Sequence, residues 1–145
     1  RAAQDDELRQ ALERHAEESE GQVERLQQVF EIIGKAARGK TCESIQGLNA
    51  ELEDHLEEFK DSEAADAVLI AGAQAMEHYE IARYGSLRAY AELLGLDQVA
   101  DLMRDILEQE EAADELLSEI AEDRANPMAA GESAEDLEDE EDDED

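Results

Sequence analysis

Three observations predict an all-α chain folded as an antiparallel helical bundle. Proline occurs once, at Pro127, and Gly34, Gly39 and Gly95 fall at the breaks between long stretches. Apolar residues in those stretches recur at intervals of three and four, the spacing of one helix face. Aromatics make up 3% of the chain and Trp is absent, so the core must be built from Leu, Ile, Val, Ala and Met. At 145 residues and 41% apolar content, the chain is one domain's worth and can fill a modest core.

The elements follow in order. Asp5 or Asp6 can cap a first helix running to about Ile33, where Gly34 and the Ala-Arg-Gly-Lys stretch ending at Lys40 break it. Thr41 caps a shorter helix, Cys42 to about Phe59, with Ile45, Leu48, Leu52 and Leu56 on one face. Asp61 or Ser62 caps a third helix from Glu63 to about Leu94, closed by Gly95. Asp97 caps a fourth that runs to about Arg124, where Asn126-Pro127 stops it. Residues 1–126 are then the helical domain and 127–145 a solvated acidic tail, whose end reads Glu-Asp-Asp-Glu-Asp without a base.

Charge excludes whole classes of function. Forty-three acids face twelve bases, for a net charge of −31, so no basic footprint exists for nucleic acid or an anionic membrane. An acid-rich surface with only Lys35, Lys40 and Lys60 as lysines suits high salt, and the expected source is a halophile. The single Cys42 cannot form an internal disulfide; it reads as a small buried hydrophobe in a cytoplasmic protein. No nucleotide-binding loop, Cys-x-x-Cys pair or nucleophile elbow is present.

Polar residues interrupt each apolar stripe at its centre. His15 lies on the stripe Leu8, Leu12, Val23, Leu26, Phe30, and Glu80 on the stripe Leu69, Met76, Leu87, Leu94. Glu110 and Asp114 lie on the stripe Val99, Met103, Ile106, Leu107, Leu117, Ile120. With about 100° of turn per residue, Glu77 and Glu111 fall at the edges of their arcs and Glu18 to one side of His15, while His55 and His78 face outward. Buried charges of this kind need an opposite charge or a metal ion. Glu77-x-x-Glu80 and Glu111-x-x-Asp114 place acids at i and i+3, where they can bind one ion or bridge two, and hard oxygen donors with an imidazole suit iron or manganese. An equally open reading is an ion-pair network in which Arg83, one turn beyond Glu80, meets Glu110 or Asp114.

The stretches LERHAEESEGQVERL (Leu12 to Leu26), GKTCESIQGL (Gly39 to Leu48), EHYEIARYGSLRAYAELLG (Glu77 to Gly95) and LEQEEAADELL (Leu107 to Leu117) together resemble the YciE/YciF stress-protein family of ferritin-like domains. The resemblance implies a ferritin-like antiparallel four-helix bundle with the Cys42–Phe59 helix in its long crossover, and a homodimer. It also implies a di-iron or di-manganese centre. By position, His15 and Glu18 would be ligands from the first long helix here, Glu77 and Glu80 from the third, and Glu110, Glu111 or Asp114 from the fourth. This chain departs from the pattern: His15-x-x-Glu18 reverses the usual Glu-x-x-His, the last long helix has no histidine, and the family's own first helix should precede Arg1. The implied function is stress-associated metal or peroxide redox chemistry; the alternative is a metal-free helical dimer.

Overall fold

The computed structural model describes residues 2–131; the acidic run 132–145 expected as a tail lies outside the described residues. Four long helices dominate: α1 (Asp6–Ile32), α2 (Glu43–Phe59), α3 (Ala65–Leu93) and α4 (Asp97–Ile120). A five-residue π turn, Ala121–Ala125, then leads into a short α5, Asn126–Ala130.

Helix ends are set mostly where local chemistry demands. The Asp5 carboxylate accepts from the Leu8 amide at 2.8 Å and caps α1. Gly34 (φ 66°) and Gly95 (φ 70°) take the left-handed conformation that ends α1 and α3. Five expectations are corrected. Ala64, not Asp61 or Ser62, holds the capping place of α3, and Leu96, not Asp97, that of α4, neither with a side-chain bond. α2 begins at Glu43 with Cys42, not Thr41, in the capping place and without a side-chain bond. Cys42 is also exposed, its Sγ 3.2 Å from the Tyr79 hydroxyl, because that position precedes the helix rather than facing the core. Pro127 does not stop the helix. The π turn shifts the Asn126 amide to the Ala121 carbonyl, and Pro127 then sits in the first turn of α5, where its missing N–H breaks no bond.

Topology follows from the contacts. Leu52 of α2 packs on Gly72 of α3 and Cys42 meets Tyr79, so α2 runs antiparallel to α3. Gln74 meets Asp114 and Ser118, so α3 and α4 are antiparallel across the Gly95 turn. Both oxygens of Asp66, at the start of α3, accept backbone amides at the start of α1, Gln4 and Asp5, each at 2.8 Å. α1 and α3 therefore run parallel, joined by a crossover containing α2, as a ferritin-like bundle requires.

The core has two parts. Leu8, Ala11, Leu69, Ile70, Ala73, Leu117 and Ile120 fill one end. Ala91, Val99, Ala100, Met103 and Ile106 fill the other. The α4 stripe lies where its periodicity places it, but two other stripes are rolled. On α1 Gln22 is buried and Val23 is 54% exposed. On α3 the inner row is Leu69, Ala73, Glu77 and Ala91, while Leu87 and Leu94 are exposed. Alanines let α3 and α4 approach closely, which turns the larger apolar residues outward. Among the described residues no helix is long and apolar enough to cross a membrane.

Candidate metal centre

The two core clusters are separated by a polar layer. α1 presents residues Leu8, His15, Gln22 and Val29 at intervals of seven, and this heptad row faces α3 and α4. α3 supplies Glu77 and Glu80 at i and i+3; α4 supplies Glu110. One donor atom from each of His15, Glu77, Glu80 and Glu110 lies within 4.8 Å of all the others.

Glu110 is fully buried and Glu77 is 5% exposed, while His15 and Glu80 are half-buried. His15 Nε2 is 3.2 Å from Glu77 Oε1 and 3.7 Å from Glu110 Oε2. His15 Nδ1 is 3.6 Å from Glu18 Oε2, too long for a hydrogen bond. The Gln22 amide donates to Glu110 Oε1. His15 Nδ1, Glu77 Oε2 and Glu110 Oε2 are buried without a hydrogen-bond partner among the described residues.

Protonation follows from these contacts. The hydrogen bond to Glu77, with the charges of Glu77 and Glu110, raises His15 to about 9 against the pull of burial. Burial raises Glu110 to about 8, helped by its hydrogen bond with Glu77. Burial would raise Glu77 as well, but bonds with His15 and Glu110 outweigh it and hold this carboxyl below its ordinary value. Burial and the Glu77 charge raise Glu80. Tyr84 stands close enough to Glu80 and Glu110 that burial and their charges push its phenol to about 12. At neutral pH the metal-free cluster thus holds an imidazolium, an ionised Glu77 and a protonated Glu110.

The remaining expected ligands lie elsewhere. Glu111 is exposed, one residue and about 100° around α4 from Glu110. Asp114 is turned to the outer seam of α3 and α4, where it meets exposed His78 at 3.0 Å and Gln74 at 3.1 Å. Glu18 stands at the rim. Glu77, expected at the edge of its arc, is more deeply placed than Glu80 because the α3 stripe is rolled. Arg83 is exposed and stacks over the Tyr79 ring at 4.9 Å, and among the described residues it forms no ion pair with Glu110 or Asp114. Gln22 is the inner polar residue absent from the expected ligand set; its sequence signal is the seven-residue spacing from His15.

The donor set fits a metal ion. Donors around one ion with bonds of about 2.0–2.2 Å lie within about 4.4 Å of one another, so a contraction of a few tenths of an ångström from the present spread suffices. Three carboxylates and an imidazole are the donor types that iron and manganese accept. The orphaned oxygens of Glu77 and Glu110 are lone-pair donors that a cation would satisfy once His15 and Glu110 give up their protons.

A parallel pair of helices joined by a crossover, with an antiparallel helix closing over an inner histidine and glutamates, defines a ferritin-like bundle protein with a site able to hold a metal ion. The chain belongs to the family described as Domain of unknown function (DUF892), which matches residues 1–130 and to which the YciE/YciF stress proteins belong. It is 42% identical over 131 residues to Protein YciF of Escherichia coli (strain K12), covering 89% of this chain and 78% of the relative. Among solved structures it is similar to "YcfI, a putative structural protein from Rhodopseudomonas palustris", with TM-score 0.78 and 43% identity over 81% of this chain and 74% of that one. It is also similar to the crystal structure of the E. coli stress protein YciF, with TM-score 0.76 and 37% identity over 90% and 80% of the two chains.

Proposed function

We propose that this protein holds iron or manganese at His15, Glu77, Glu80 and Glu110 and acts in the redox chemistry of metal and peroxide under stress. The observation that carries the reading is the convergence of four donor side chains from three helices, with buried lone pairs unsatisfied. A bound iron or manganese would supply a change of oxidation state, and so a source of electrons for peroxide or oxygen. The chain's own residues do the rest. Glu77, Glu80 and Glu110 would neutralise the ion, the hydrogen bond from Gln22 orients Glu110, and the protons held by Glu110 and His15 would be released to solvent when an ion enters. The packed helices on either side keep the donors in place.

Glu80→Ala tests the proposal. The expected result is loss of bound metal and of peroxide consumption, with thermal stability lowered only in metal-loaded samples. Equal destabilisation with and without chelator would contradict it.

A second reading, a metal-free structural bundle, draws on the self-compensation of His15 with Glu77 rather than on Arg83. The homodimer is part of the proposal: Leu87 and Tyr90 on α3, with Leu94 just past its end, form an exposed row that supports a contact between copies. Light scattering is expected to give twice the chain mass; a monomer at micromolar concentration would remove this part.

A further inference from the structure

We infer that a cavity between α1 and α4 seats hydrogen peroxide beside the metal and keeps larger hydroperoxides out, an inference that rests on the metal and peroxide reading above. The cavity holds about 80 Å³. Buried Glu77 and half-buried His15 line its inner end, and exposed Arg14 and half-buried Glu18 its mouth. Ala11 and Leu12 on α1, with Ala113 and Leu116 on α4, form apolar walls. A molecule in the cavity therefore lies against two of the four residues proposed to hold the ion.

His15 stands between cavity and cluster. Its Nε2 faces Glu77 and Glu110, at 3.2 and 3.7 Å. Its Nδ1 is turned toward Glu18 at the mouth, but the 3.6 Å between them is too long for a hydrogen bond. This nitrogen is buried and has no hydrogen-bond partner among the described residues. With Nε2 on an ion, Nδ1 carries the ring's proton and calls for an acceptor. Hydrogen peroxide can accept that N–H at one oxygen and donate an O–H to the Glu18 carboxylate; dioxygen has no O–H to give. The apolar walls disfavour a charged guest. Size then decides among neutral peroxides. A cavity of about 150 Å³ is what holds benzene, so half that volume leaves no room for an aromatic ring. A molecule of two oxygens needs about two waters' share of volume, roughly 60 Å³, and fits.

The test pairs binding with turnover, with metal content and helicity measured in every form. Hydrogen peroxide added to the metal-free chain with labelled alanine methyls should shift Ala11, Ala112 and Ala113 saturably and reversibly in NMR spectra. Ala91 and Ala100, in the far part of the core, should stay in place. Manganese-loaded wild type should consume hydrogen peroxide, and cumene hydroperoxide roughly tenfold or more slowly. Ala113→Leu, which fills the cavity, should raise KM for hydrogen peroxide roughly tenfold with kcat little changed. Leu116→Ala, which widens it, should speed the consumption of cumene hydroperoxide, and it carries the test if the leucine variant does not fold. Unmoved cavity methyls, an unchanged KM in folded, metal-loaded Ala113→Leu, or no gain for cumene hydroperoxide in Leu116→Ala would each overturn the inference while leaving the metal centre standing. Peroxide seated in the cavity but not consumed by the metal-loaded chain would leave the pocket and remove the redox reading. No metal bound in any form would overturn the metal centre itself, and this inference with it.

Discussion

Replacing Glu110 by Gln in metal-free protein should flatten the dependence of stability on pH. The wild-type carboxyl is fully buried, and its folded value of about 8 stands above the ordinary 4.5. For an acid raised in this way, the folded state holds a proton that the unfolded state has released. Stability contributed by the proton is full below the unfolded value and falls as pH rises toward the folded one. His15 adds in the same direction: raised to about 9 from 6.5, it stabilises fully below the lower value and loses that contribution through the upper. From near pH 6 to near pH 9 the folded carboxyl holds its extra proton over about two pH units, or roughly 2–3 kcal/mol at about 1.4 kcal/mol each. For a domain of this size that is roughly 10 °C in Tm. Self-repulsion from the net charge acts on both proteins and largely cancels in the difference. The assay is thermal denaturation followed by circular dichroism in chelator at fixed salt. Wild type should lose that much more stability than Glu110→Gln over the interval. Parallel pH profiles would show that Glu110 is not held protonated in the folded core.

Three further outcomes test the fold that positions the cluster. Asp66→Ala removes the acceptor of the Gln4 and Asp5 amides at the part-buried start of α1 and should cost roughly 1–3 kcal/mol in urea denaturation; a wild-type midpoint would mean that Asp66 does not tie α1 to α3. Gly72→Ala places a Cβ 2.4 Å from Leu52 Cδ1 and 3.1 Å from its Cβ, so α2 must shift, at about 1–3 kcal/mol. Faster amide exchange confined to α2 is the accompanying sign, and unaltered exchange would count against the close approach. Arg83→Gln should change stability by less than about 0.5 kcal/mol, since Arg83 lies outside on Tyr79; a loss of several kcal/mol would restore it as the partner of an inner acid.

Much of this architecture is legible in the sequence because it is written in local chemistry. Asp5 caps, Gly34 and Gly95 stop, and the inward acids of α3 and α4 interrupt apolar rows at positions a helical wheel can place. What escapes is set by the neighbours of each helix. α3 is apolar around much of its circumference, so periodicity cannot decide whether Ala73 and Ala91 or Leu87 and Leu94 face α4; close helix approach selects the alanines. The same roll buries Glu77 more deeply than Glu80, and on α1 it buries Gln22 in place of Val23. Asp114 looks like a core acid on its own helix, and only the side-by-side placement of α3 gives it Gln74 and His78 as partners. Pro127 fails as a stop because a π turn, which leaves no clear residue signature here, absorbs it.

The most direct measurement is anomalous diffraction from a crystal of this chain soaked in manganese. The account predicts one strong peak among His15 Nε2 and the carboxylates of Glu77, Glu80 and Glu110, at bonding distance from all four, and its loss in His15→Ala. Peaks confined to surface acids such as Glu111 or Asp114, with none in the core, would contradict it.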